Sequence, residues 1–206
     1  MRNQNVILLA GLLLLTAVRV EAQRRRGLVD VTPRHDRHGA WIHLGLGAGS
    51  EAYRFSDQAD YNTDSPTKPS FSLRVGGTLN PHIRLGGELM GWADTFNDDQ
   101  GNHVTEYLGG LMLVGQFYPA RRAGFFVKGG GGFSRSGVRV SGGYNDTHED
   151  GFAWTVGAGY EIQLSRALFI TPTVDLMQHR SEARNQPALY ERLAMLGVAL
   201  TIQPGR

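Results

Sequence analysis

His179-Arg180-Ser181, with Glu191 on the next apolar stretch, brings an imidazole, a hydroxyl and a carboxyl into one polar neighbourhood. These are the groups from which a serine nucleophile is made near neutral pH. The same types beside a polar loop are ordinarily loop chemistry, so the elements that carry them decide between the two meanings. Other candidates are thinner. His35-Asp36-Arg37-His38 has helical histidine spacing but no third ligand. Gly45-Leu46-Gly47-Ala48-Gly49-Ser50 has the glycines of a phosphate loop without its lysine or following helix. Asp98, Asp99, Asp146, Glu149 and Asp150 make two polar links acidic, as solvated charge or as a weak cation site. The chain has no cysteine, which removes disulfides, thiolate metal sites and lipid attachment. Neither a cofactor nor a metal is expected.

The elements that position these groups read as strands. From Phe152 to Leu164 an apolar residue stands at every second position (Phe152, Trp154, Val156, Ala158, Tyr160, Ile162, Leu164), with small or polar residues between. At ~3.3 Å per residue such a run reaches roughly 43 Å, enough to cross a bilayer at the usual tilt. Seven further runs alternate in the same way: Ala40 to Ser50, Ser70 to Leu79, His82 to Ala93, Val104 to Tyr118, Gly124 to Ser134, Ala167 to His179 and Tyr190 to Gln203. In the Val104 run, Met112 and Val114 blur the second face. The long polar links (Glu51 to Pro69, Asp94 to His103, Arg135 to Asp150, Arg180 to Leu189) alternate strictly with tight ones at Asn80-Pro81, Ala120 to Ala123 and Ser165-Arg166. Long outer loops and tight periplasmic turns, with both termini inside, are how a membrane barrel is connected. The 28 glycines exceed the usual share and fall largely on the non-apolar face, where a crowded lumen needs them.

Arg2 followed by the apolar run Val6 to Ala17 and by Val20-Glu21-Ala22 reads as a signal peptide over residues 1–22, too short for a spanning helix. Residues 23–38, with Arg24, Arg25, Arg26, Arg34 and Arg37, read as a solvated basic leader, and residues 39–206 as the barrel. Removing Arg2, Arg19 and Glu21 from 21 basic and 19 acidic side chains leaves a charge of +1, so no nucleic-acid partner is expected.

Over Gly39 to Gln203 the chain resembles the small eight-stranded outer-membrane barrels of the OmpA/OmpX type, in the strand ending Gln116-Phe117-Tyr118-Pro119, in Phe126-Val127-Lys128-Gly129-Gly130 and in Val156-Gly157-Ala158-Gly159-Tyr160-Glu161. The resemblance implies an all-β, eight-stranded antiparallel up-and-down transmembrane barrel in a Gram-negative-type outer membrane. It also implies a monomer, partnered by outer-membrane lipids including lipopolysaccharide and by the barrel assembly machinery. That machinery reads a terminal aromatic in such barrels, whereas this chain closes Leu200-Thr201-Ile202-Gln203-Pro204-Gly205-Arg206. The His-x-Ser on the penultimate strand and a Glu near the last also resemble the lipid A 3-O-deacylases. That resemblance implies Ser181 as nucleophile, His179 as general base and Glu191 as the group orienting the imidazole. A soluble lipocalin-like barrel, hinted at by Gly39-Ala40-Trp41, would need Lys, Glu and Thr where this chain has glycine.

With the apolar face outward, the inward set holds Arg74, Arg84 and Lys128 against Glu88, Glu161 and Asp175. Buried charges persist when paired, so these six are expected to form ion-pair networks that plug a lumen only wide enough for side chains. Trp154, Tyr160, Tyr107, Phe117 and Tyr190 are expected in interfacial aromatic belts. The expected role is structural or interactive, through outer loops whose contact residues are Tyr53, Phe55 and Tyr61. Enzymatic use of His179, Ser181 and Glu191 is the alternative.

Overall fold

The structure is a computed structural model describing residues 37–63, 67–98, 101–140, 147–181 and 187–203. The segments read from the sequence as signal peptide and leader lie, up to residue 36, outside the described residues.

The strands are β1 (Ala40–Phe55), β2 (Lys68–Asn80), β3 (Ile83–Asn97), β4 (His103–Phe117), β5 (Phe125–Val140), β6 (Thr147–Tyr160), β7 (Ile162–Gln163), β8 (Leu168–Ser181) and β9 (Leu189–Ile202). β6 and β7 form one barrel stave, with Glu161 between them donating its backbone N–H to Gly124 O at 2.9 Å in continuation of the β5–β6 ladder. Neighbouring strands pair antiparallel in chain order, and β1 pairs with β9 while β6 pairs with β8. That closes an eight-stave antiparallel barrel and leaves no edge among the described strands, the condition for placing backbone amides in hydrocarbon.

Alternation decides which way each residue points. Leu46, Leu113, Phe133, Phe152 and Val198 face outward, each more than half exposed, whereas Trp41, His43, Arg74, Arg84, Glu88 and Lys128 face inward and are buried. An exterior of this kind suits lipid, since its apolar side chains would be costly in water.

β1 runs on to Phe55 beyond the expected end at Ser50, because its ladder with β9 continues through Glu51↔Leu193 to Phe55↔Leu189. Tyr53 and Phe55 therefore stand on strand, at the mouth of the lumen, instead of in a loop. Tyr61 lies in the link that follows, with the guanidinium of Arg192 4.2 Å from its ring centroid.

Candidate functional site

The lumen is filled in layers, described from the end with tight turns. In the lowest layer Arg84 Nη1 donates to Glu161 Oε1 at 2.5 Å and to Tyr118 Oη at 2.8 Å, while its Nη2 donates to Gln203 Oε1. Arg37 enters this layer from below. Its guanidinium lies 3.7 Å from the Tyr118 ring centroid and 3.5 Å from Glu161, and it donates to Arg121 O at 3.0 Å and Ala123 O at 2.5 Å. The basic run predicted Arg37 to be solvated; it is buried, because cation–π stacking, an ion pair and two carbonyls replace its water. Arg37→Ala is expected to lower stability by about 2 kcal/mol, read as a lower temperature for loss of the folded-barrel band on unheated gels. An unchanged temperature would show that the stacked guanidinium contributes nothing.

The second layer is a four-charge knot. Arg74 Nε donates to Glu88 Oε1 at 2.6 Å and Nη2 to Asp175 Oδ2 at 3.2 Å; Lys128 Nζ meets both Glu88 oxygens at 2.5 and 2.6 Å and Asp175 Oδ1 at 2.9 Å. Two cations face two carboxylates from four staves, so each charge neutralises more than one partner.

Above the knot the lumen turns apolar. Met90, Trp92, Leu108, Met112, Val114, Ala153, Met177, Leu193 and Met195 form one buried cluster. Met112 and Val114, which blurred the pattern of the fourth run, are lumen-facing members of this layer.

The third polar layer holds the serine, histidine and glutamate singled out above. His179 and Glu191 come together, Nε2 to Oε2 at 3.6 Å, but Ser181 does not join them, since its hydroxyl donates to Glu149. The hydroxyl on the imidazole belongs to Ser134, whose Oγ lies 2.6 Å from His179 Nδ1. Sequence reasoning passed over Ser134, because a serine at the end of a run carries no local signal; only the barrel brings β5 across from β8. All four groups point into the lumen. This layer stands at the outer margin of the apolar band, where the outward residues include Ser50, Arg54, Arg180 and Arg192 beside Phe133 and Phe152. Burial lowers the imidazole pKa of His179 and raises the Glu191 carboxyl to about 8, with Glu51 adding to the rise. At neutral pH the imidazole and Glu191 are then both largely uncharged, the wrong state for a carboxylate that must stabilise an imidazolium. Ser181, bonded to Glu149, does not complete a serine–imidazole pair with His179.

Over this layer opens a cavity of about 510 Å³, lined by Glu51, Lys68, Trp92, Glu106, Glu149 and Glu191 and rimmed by Tyr53, Phe55 and Tyr107. Lys68 Nζ donates to Glu106 Oε2 at 2.9 Å and lies 3.9 Å from Glu51. Burial raises the Glu51 carboxyl to about 7, against the pull of Lys68, and Glu51 and Glu191 hydrogen-bond each other. Among the described residues no group of three or more His, Asp or Glu side chains is arranged to hold a metal ion.

A comparison with curated protein sequences found no match. The structure is similar to that of Ail, the attachment invasion locus protein of Yersinia pestis, solved in complex with the heparin analogue sucrose octasulfate (TM-score 0.53, 11% identity, covering 80% of this chain and 99% of that one). It is likewise similar to Neisserial surface protein A, NspA (TM-score 0.52, 12% identity, 79% and 97% covered). At such identities the likeness shows the fold alone. The family model for the outer membrane protein beta-barrel domain matches residues 10–180, and with that match this chain, a closed eight-stave antiparallel barrel, belongs to that family.

Proposed function

We propose that this outer-membrane barrel is closed along its lumen and acts at its extracellular end, in envelope integrity or in contact with a partner. The observation that carries the reading is the stacking of a complete charge knot (Arg74, Glu88, Lys128, Asp175) beneath a buried apolar layer, with the open cavity above both. Water and ions crossing the barrel would have to break paired charges and then wet a thioether-lined core, and both steps are costly. Tyr53, Phe55 and Tyr61 supply aromatic contact surface at the mouth. Outer-membrane lipids, lipopolysaccharide among them, and the assembly machinery are its standing partners on this reading, and the barrel works as a monomer.

Two measurements test it. In planar bilayers the purified barrel is expected to show no porin-sized conductance steps; a steady open channel would overturn the closed lumen. On intact cells a protease site placed among residues 57–63 is expected to be cut from outside, and protection of that site would reverse the topology.

A further inference from the structure

The cavity at the extracellular mouth has a lopsided lining. Four carboxyls, from Glu51, Glu106, Glu149 and Glu191, surround it, and Lys68 is the lysine that lines it. That lysine shows what the wall can hold. Its ammonium sits 3.7 Å from the Trp92 ring centroid and 2.9 Å from Glu106, which is cation–π contact combined with a carboxylate pair. On the opposite wall Glu149 is met by the Ser181 hydroxyl, and Glu191 by Ser136 and the imidazole of His179, groups that bring no fixed positive charge. A second observation is independent of the acids. Trp92 is 3% exposed and lines the cavity, yet its indole N–H has no acceptor among the described residues. A buried donor left unpaired is costly unless something fills the site.

We propose that this cavity binds an organic cation, an alkylammonium or guanidinium group carried on a peptide side chain or on a free polyamine. The inference rests on the extracellular end being the working face. A volume near 510 Å³ lies within the range of small-molecule sites and exceeds what one lysine needs. An anionic ligand would meet four carboxyls. A cation would stack on the aromatic rim and pair with Glu149 and Glu191, and a neighbouring peptide carbonyl would accept the Trp92 N–H.

Binding should couple to a proton. The groups facing Glu191 are Glu51 on β1, Lys68 on β2, Glu106 on β4, His148 and Glu149 on β6 and His179 on β8, with the Ser136 hydroxyl on β5. A bound cation favours the ionised carboxylates, so protons leave as it arrives and affinity rises from pH 6 to pH 9.

The test is calorimetric titration of the refolded full barrel in nonionic detergent at physiological salt. The probes are spermidine, an end-blocked Gly-Lys-Gly peptide and, as control, end-blocked Gly-Glu-Gly. One-to-one binding by at least one cation is expected, with none by the glutamyl peptide. Glu149→Gln and Glu191→Gln should each weaken the bound cation about tenfold, and if one variant does not fold, the other carries the same comparison. Trp92→Phe should weaken the peptide and leave spermidine, which has no acceptor, unchanged; that separates the two sources. Absence of saturable binding by both cations at pH 8.5, equal binding of the glutamyl peptide, or unaltered affinity in both carboxamide variants would overturn the proposal. A protease-accessible loop with no cation binding sinks this inference and spares the reading above, whereas a protected loop with binding intact does the reverse.

Discussion

Lys128→Met is expected to destabilise the folded barrel by about 3–5 kcal/mol, the usual cost of removing one partner from a buried ion-pair network. Lys128 Nζ is the point where both carboxylates of the knot meet, at 2.5 and 2.6 Å from Glu88 and 2.9 Å from Asp175, and the lysine and Glu88 side chains are fully buried. Without it Glu88 and Asp175 keep only Arg74, and one negative charge is left in the lumen with no counter-ion. The closed barrel has no hinge through which to admit water cheaply. Lys128→Met combined with Asp175→Asn restores the balance and should recover a large part of the loss, so the double variant is expected to be more stable than the single one. Urea unfolding in lipid vesicles, followed by tryptophan fluorescence, measures both. Identical midpoints for unmodified and Lys128→Met barrels would show that the knot packs the lumen without holding it together.

Gly76→Val should do more damage still and yield no folded barrel. Gly76 pairs with Gly86 across β2 and β3, where the strands approach closely. A Cβ at Gly76 would press into the carbonyl oxygen of Leu85 and lie 2.7 Å from Gly86 Cα, and those are backbone atoms that cannot swing away. The collision would prise β2 from β3 between the layer that holds Arg84 and the knot that holds Arg74. The adjacent Gly77 is the natural control: a Cβ there meets nothing within 4 Å, so Gly77→Ala should assemble normally. Gel mobility of unheated samples after refolding reads both, and recovery of a folded Gly76→Val band would disprove the close-approach argument.

The barrel was legible because lipid imposes a period of two on every stave, and Ile42, Leu44 and Leu46, or Phe152, Trp154 and Val156, show it without help from tertiary contacts. Where the lumen itself is apolar the signal fades. Leu108, Met112 and Val114 alternate with Leu111 and Leu113 on β4, so both faces of that strand are greasy and only closure tells lumen from lipid. Strand ends were harder still, since Glu51 to Phe55 carry no apolar period and are strand because β9 lies beside them. The candidate site divided in the same way. Phase alone sent His179 and Ser181 inward, but which hydroxyl reaches the imidazole depends on a neighbour far away in sequence, and Ser134 could not be found from spacing. Arg37 was hidden for a like reason: nothing in a run of arginines distinguishes the one that meets Tyr118 and Glu161.

The apolar layer has a further consequence for the life of the chain before it reaches the membrane. Met90, Met112, Met177 and Met195 are all the methionines beyond Met1, and every one of them lies in that layer, shut away by the staves. Thioethers oxidise where peroxide can reach them, and a sulfoxide is a poor fit in a dry core. Before closure all four are open to an oxidising compartment; afterwards none is. The assembled barrel is thus expected to carry these four residues as thioethers, because a chain oxidised before its first and last staves meet would pack this layer poorly.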